Sequence, residues 1–262
     1  MIDQRPMLAR EYEKHKHKIE FPVYVQPKLD GVRLFWDGPS RKFASRTGKT
    51  LFVPRLVQET LKVKFSKLVL DGELFLKGAC FEAISGAARR KVSGSDLELE
   101  YHVFDVVSDR PQHERLDLLS ESQGWNSRVK CVPSRVAASQ DTLMVLFAEY
   151  VADGYEGVII RNFFAPYRHC RTIDLLKLKP WHFERFKVIG MEPARGKYEG
   201  MLGSLVLEGG GKVGTGFSAA ERAQYWEEKP IGRYVEVKFQ ERSRKGIPRF
   251  PVFNGFKAKG AK

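Results

Sequence analysis

The sequence predicts two domains in series: a mixed α+β domain over residues 1–182 and a small β-barrel over residues 183–262. Three observations point there. From Tyr24 to Lys179, strand-like and helix-like segments alternate. Beyond Trp181, short strand-like runs are separated by glycine-rich turns. The charge density also changes. Residues 183–262 carry 16 basic against 9 acidic side chains, a net +7, whereas residues 1–182 carry 29 against 23, a net +6. The shorter segment is therefore much the more basic per residue, and the boundary falls near Trp181–Phe183.

Taken in order, Tyr24 to Lys28 reads as a strand with Val23 and Val25 on one face and Tyr24, Gln26 and Lys28 on the other. Asp30-Gly31 then turns the chain. Pro54 to Val63 suits a helix with proline at its first position. Leu70–Leu74 and Tyr101–Asp105 read as strands. Ser139 to Asp153 carries the helical stripe Leu143, Leu146, Phe147, Tyr150 and Val151, with Gly154 placed to end it. Glu156–Arg161 and Leu175–Lys179 are again strand-like. In the tail the expected strands are Phe186–Met191, Leu202–Glu208, Lys212–Gly216 and Arg233–Gln240, which together suit a small barrel.

Composition bounds the function. Of 262 residues, 42% are hydrophobic and 29% charged, as in a soluble globular protein. The net charge of +13 favours a polyanionic partner, because each phosphate neutralised releases condensed counterions. Cys80, Cys131 and Cys170 are scattered, which argues against a disulfide framework or a structural zinc site. Met1 to Lys18 is polar, and no run of eighteen apolar residues exists. The expectation is an intracellular (cytoplasmic) protein without a membrane partner, or one that a virus or phage makes inside a cell. Glu13 to Lys18 includes two histidines; a metal site and a solvated helix end both fit that run, and the helix end is the simpler.

The chemistry concentrates in Lys28-Leu29-Asp30-Gly31-Val32-Arg33, Leu70-Asp71-Gly72-Glu73-Leu74, Tyr101-His102-Val103-Phe104-Asp105, Glu156-Gly157-Val158-Ile159-Ile160-Arg161 and Leu175-Leu176-Lys177-Leu178-Lys179-Pro180. Each alone is an ordinary half-buried strand. In this order they resemble the covalent nucleotidyltransferases: ATP-dependent DNA ligases, RNA ligases and mRNA capping enzymes. Ser45-Arg46-Thr47-Gly48 is similar to the ligase version. So are Gly200–Leu205, Gly214–Phe217 and Gly246–Pro251 in the tail, which look like the minimal DNA ligases of bacteria and viruses. The resemblance covers nearly the whole chain.

It implies an α+β, ATP-grasp-like nucleotidyltransferase domain followed by a small OB-fold β-barrel. It also implies three steps: lysine attacks ATP, AMP passes to a 5′-phosphate, and a 3′-hydroxyl displaces AMP. Lys28 is the implied nucleophile. Its amine must be neutral to attack, although a free lysine is almost wholly protonated. Lys177, Lys179, Arg33 and a metal are expected to disfavour that extra positive charge and to steady the α-phosphate. Mg²⁺ (or Mn²⁺) wants oxygen ligands, and the resemblance implies Glu156, with Glu73 also able to reach it. Glu73 is expected at the ribose, Phe104 stacked on adenine and Gln26 near the base edge. Arg33, Arg46 and Arg249 are the expected DNA contacts. Asp30 either orients Lys28 or simply caps its turn, and Phe104 has a plain core aromatic as its simpler reading. Glu82 is given no role, and the Arg89-Arg90-Lys91 cluster next to Gly94 reads as a solvated loop or, by position, as a contact to the DNA backbone.

The expected partners are ATP and nicked double-stranded DNA, with the protein acting as a monomer and binding DNA in a strongly salt-dependent way. An RNA ligase and a GTP-using capping guanylyltransferase are the enzymatic alternatives; a basic DNA-binding module without activity is the non-enzymatic one. Two departures stand out. After Arg249-Phe250-Pro251 the two further arginines usual in such ligases are missing, leaving Arg249 and Lys257 as candidates to orient pyrophosphate. The turn Glu208–Lys212 is also too short for the inserted hairpin with which some small ligases encircle DNA.

Overall fold

The computed structural model describes residues 5–89, 98–243 and 246–257. Arg90, Lys91 and Gly94 of the basic cluster lie outside the described residues. The chain divides into two compact units, Met1–Lys179 and Pro180–Lys262.

The first unit contains, in chain order, β1 (Leu8–Glu11), α1 (Tyr12–His15), β2 (Val23–Pro27), β3 (Val32–Asp37), β4 (Lys42–Ser45), α2 (Arg55–Lys64), β5 (Val69–Phe75) and α3 (Phe81–Arg89). It continues with β6 (Glu100–Val106), α4 (Gln112–Glu121), β7 (Val129–Cys131), β8 (Arg135–Ala137), α5 (Gln140–Ala152), β9 (Val158–Asn162) and β10 (Arg171–Leu178). These strands make two five-stranded sheets, ordered β1-β10-β9-β2-β8 and β4-β3-β5-β6-β7. Most neighbours are antiparallel, but β1 runs parallel to β10 and β6 to β7.

Strand alternation decides which face each sheet buries. In the first sheet, Val23 and Val25 of β2 join Leu176 and Leu178 of β10 and Leu143, Leu146 and Tyr150 of α5 in one core. The opposite face of β2 and β10 is thereby left to Gln26 and Lys177. The second sheet packs Leu34, Trp36, Leu70, Leu74, Tyr101 and Val103 against α2, α3 and α4. Helix α5 begins where expected: the Ser139 hydroxyl accepts from Thr142 N at 3.3 Å, and Gly154 follows its end at φ +84°.

The second unit contains β11 (His182–Pro193), β12 (Leu202–Leu207), β13 (Lys212–Val213), α6 (Ala219–Glu228), β14 (Tyr234–Phe239), β15 (Glu241–Arg242), β16 (Pro248–Arg249) and β17 (Val252–Lys257). Its five-stranded sheet is ordered β13-β12-β11-β14-β17 around Val188, Leu202, Leu205, Val213, Val235, Val237 and Phe253. The ladder is not a closed barrel. Among the described residues its two edges are joined by an isolated bridge between Thr215 and Val252, where Phe253 N donates to Thr215 O at 2.9 Å. Gly209, Gly210 and Gly211 carry positive φ and let Leu207 N reach Gly211 O at 3.0 Å, so the β12–β13 turn is as short as the sequence suggested.

Three features differ from the sequence reading. Strand β11 is one long strand starting at His182, because it pairs with β14 over its first half and β12 over its second. Strand β17 completes the sheet just beyond the Gly246–Pro251 motif, where no strand was expected. Helix α6 was not expected. Its marker is the capping box Ser218-x-x-Glu221, in which Ser218 Oγ accepts from Glu221 N and Glu221 accepts from Ser218 N at 2.8 Å.

Candidate active site

A cleft of about 880 Å³ opens in the first unit and is lined from both of its sheets. Lys28, one residue beyond β2, lies in its wall. The backbone fixes it there: Lys28 N donates to Gly157 O at 2.9 Å, and Glu156 N donates to Lys28 O at 3.3 Å. Gly157 allows this approach. It sits at φ +145°, and a Cβ added to it would lie 2.2 Å from Leu178 O. Gly31 plays the same part beyond Lys28, where a Cβ would lie 2.3 Å from Leu74 O of β5.

That backbone contact brings the Glu156 carboxylate to Lys28. One oxygen pairs with Lys28 Nζ and the other with Lys179 Nζ. The cations expected around Lys28 are thus partly present, but a carboxylate shared with Lys179 touches the amine directly. Lys177, two residues earlier on the same face of β10, pairs instead with Glu11 of β1 at 2.9 Å.

The second sheet supplies the facing wall. Arg33 of β3 and Glu73 of β5 are cross-strand partners. Burial pushes the Glu73 carboxyl up to about 8; Arg33 and Lys28 pull it back down, while Asp71 and Glu156 push it further up. A carboxyl whose folded pKa is raised above its ordinary value of 4.5 costs stability as pH rises from there to about 8, each unit being worth about 1.4 kcal/mol. The Glu73→Gln variant is therefore expected to gain Tm relative to the parent as pH goes from 5 to 8.5 in metal-free buffer. A Tm difference independent of pH across that window contradicts the burial.

Phe104 of β6 is half-buried in the cleft wall, with the guanidinium groups of Arg33 and Arg161 at 5.4 and 5.3 Å from its ring centroid. Behind it lies a polar network that the sequence reading quoted in part but gave no role. Asp105, fully buried, accepts from Arg115 Nε at 2.8 Å, Arg161 at 2.7 Å and Val106 N at 2.9 Å. Gln26 is only 1% exposed and its amide is committed. Gln26 Oε1 accepts from Arg161 Nε at 2.6 Å, while Nε2 donates to Phe104 O at 3.0 Å and Ser134 Oγ at 2.8 Å. Arg33 is likewise engaged by both oxygens of Asp71, to which Tyr167 also donates at 2.7 Å. Charged residues inside largely apolar strands, Asp71 and Asp105, were the available sign of this network.

The structure therefore brings Gln26, Lys28, Arg33, Arg46, Glu73, Phe104, Lys177 and Lys179 into one cleft. Asp30 and Glu156 line a smaller adjoining hollow of about 360 Å³ that shares Lys28. Arg46 is exposed at the cleft in the segment after β4. Arg249 belongs to the second unit, where it pairs with Glu241 at 3.2 Å. Among the described residues no group of three or more histidine, cysteine or acidic side chains could hold a metal. The acidic set of the site is Glu73 and Glu156.

The sequence and fold are similar to those of known proteins. Residues 6–179 match the ATP dependent DNA ligase domain, and residues 193–257 match the DNA ligase OB-like domain. The DNA ligase of Haemophilus influenzae is 29% identical over 238 residues, covering 87% of this chain and 84% of that protein. The solved structure of a Lig E DNA ligase, described as binding DNA with a minimal scaffold, has 26% identity and a TM-score of 0.74, covering 98% of this chain and all of that one. The Chlorella virus DNA ligase–adenylate has 27% identity and a TM-score of 0.58, with 98% and 99% covered. No helix among the described residues is long and apolar enough to cross a membrane. With both of its units matched in order, the chain belongs to the ATP-dependent DNA ligase family.

Proposed function

We propose that the protein seals 3′-hydroxyl/5′-phosphate nicks in duplex DNA, carrying AMP on Lys28. The observation that supports this most is the Lys28 amine at the wall of a nucleotide-sized cleft, with Glu156, Lys179 and Lys177 around it. The family relationship supports it too, as does a relative solved as an adenylate.

In the first step Lys28 Nζ attacks the α-phosphorus, a P–N bond forms, and pyrophosphate leaves. The amine must shed its proton, and Glu156 is the acceptor in contact with it. Lys179 and Lys177 then face the charge that builds on the α-phosphate. Phe104 offers its ring to adenine and Glu73 its carboxyl to the ribose. Gln26 and Arg33 act by holding the base-side wall, since the Gln26 amide is committed to Arg161, Phe104 and Ser134 and Arg33 is held by Asp71. In the later steps Arg46 meets phosphate at the nick, Asp30 steadies the turn beyond Lys28, and Arg249 contributes to DNA binding from the second unit. The nucleotide cleft lies wholly within one chain, so we assign activity to the monomer.

Mg²⁺ or Mn²⁺ fits the donor set. Such ions are held by one or two carboxylates together with substrate phosphates and water, and Glu73 and Glu156 are the two carboxylates here. Glu73 forms no hydrogen bond with any described residue, which leaves its oxygens available. A bound ion supplies positive charge against the triphosphate.

The test is incubation with labelled ATP or GTP and magnesium, followed by nicked DNA or RNA. ATP label is expected to survive denaturation on the parent, to be absent from Lys28→Ala, and to be lost as a DNA nick closes. Equal labelling of Lys28→Ala contradicts the nucleophile. Preferential closure of RNA nicks contradicts the substrate.

A further inference from the structure

We propose that Lys49 and Arg89 form the subsite for the pyrophosphate that leaves ATP in the first step, an inference that rests on the reading of Lys28 as nucleophile. A triphosphate bound with its α-phosphorus at Lys28, Lys177 and Lys179 still has two phosphates to place. Their negative charge grows as the bond from the α-phosphorus to the bridging oxygen breaks and its electron pair moves onto pyrophosphate. Preformed positive charge at that point lowers the barrier.

The cleft holds cations suited to the task. Arg46, Lys49 and Arg89 all line it, and none makes an ion pair among the described residues. Other candidates are occupied. Arg171 donates to Ala9 O, Lys257 lies 3.6 Å from Glu236, and Arg249 pairs with Glu241. The sequence also lacks the two further arginines expected after Arg249-Phe250-Pro251.

Lys49 and Arg89 sit on one stiff wall. Ser45 N donates to Lys49 O at 2.9 Å, Lys49 N donates to Ser45 Oγ at 2.9 Å, and Gly48 N donates to Ser45 O at 3.0 Å, closing the turn that presents Lys49. Phe52 N donates to Ala88 O at 2.8 Å, which ties the continuing segment to the last turn of α3 beside Arg89. Ser45, Thr47 and Thr50 line the same part of the cleft, and their hydroxyls are suited to phosphate oxygens. This segment follows β4, the edge strand. That strand lies two strand spacings, about 10 Å, from β5, which carries Glu73. A cleft of about 880 Å³ is large enough to hold a nucleoside triphosphate.

The experiment uses the whole protein, stripped of AMP with pyrophosphate, as the parent, Lys49→Ala, Arg89→Ala and the double variant. Adduct formation from ATP, and reversal of the adduct to ATP by added pyrophosphate, are expected to fall at least about tenfold in each single variant and at least about a hundredfold in the double, as for loss of preorganised charge. Lys49→Arg and Arg89→Lys are expected to recover most of both rates. Sealing of a nick adenylated beforehand, which involves no pyrophosphate, is expected to persist. Unchanged adduct formation and pyrophosphate reversal overturn the subsite. A parallel loss of sealing on the adenylated nick also overturns it, making these cations a DNA clamp or a structural requirement. A parent that forms no adduct at all fails the reading of Lys28 instead.

Discussion

Glu156→Ala is expected to slow formation of the lysyl adenylate by at least about a hundredfold, within the range spanned by loss of a positioned proton acceptor, while the protein stays folded. The carboxylate is shared by Lys28 and Lys179. Its removal takes away the acceptor in direct contact with the proton that Lys28 must lose. Glu156 is partly solvent-accessible, so the fold tolerates the change far better than the chemistry does. Single-turnover labelling, read beside circular dichroism and Tm, separates the two. A loss of labelling that tracks unfolding makes Glu156 structural.

Asp105→Ala is expected to have the largest effect on stability. One buried carboxylate there pairs with the guanidinium groups of both Arg115 and Arg161, and removing it takes the ion-pair partner from both. Breaking a buried ion pair from one side costs about 3–5 kcal/mol, a large share of the roughly 5–15 kcal/mol that holds a domain together. The first unit is expected to melt at markedly lower temperature or to be unfolded at 37 °C. Because Arg161 also holds Gln26, and Gln26 holds the backbone of Phe104, any folded remainder is expected to bind ATP weakly. Calorimetry that finds the transition unmoved contradicts the role given to the network.

Much of the site was legible because strands repeat every two residues. Lys177 and Lys179 had to share a face once Leu176 and Leu178 were given to the core, and the same reasoning placed Gln26 with Lys28. The order of five motifs supplied the cleft. What alternation does not reveal is partner choice between distant segments. Gln26 and Arg161 are 135 residues apart, and nothing local says that the amide binds the guanidinium rather than a base. The same holds for Glu156, whose place between two lysines depends on Gly157 passing within contact of Leu178. In the tail, glycine-rich turns drew attention to strands, and the capping box that starts α6 went unread.

One amine carries the whole account. Peptide mass spectrometry of the protein treated with ATP and magnesium is expected to find a single added AMP, acid-labile as a phosphoramidate, on the peptide containing Lys28. An adduct confined to another lysine, or complete nick sealing by a protein that never carries AMP, contradicts it.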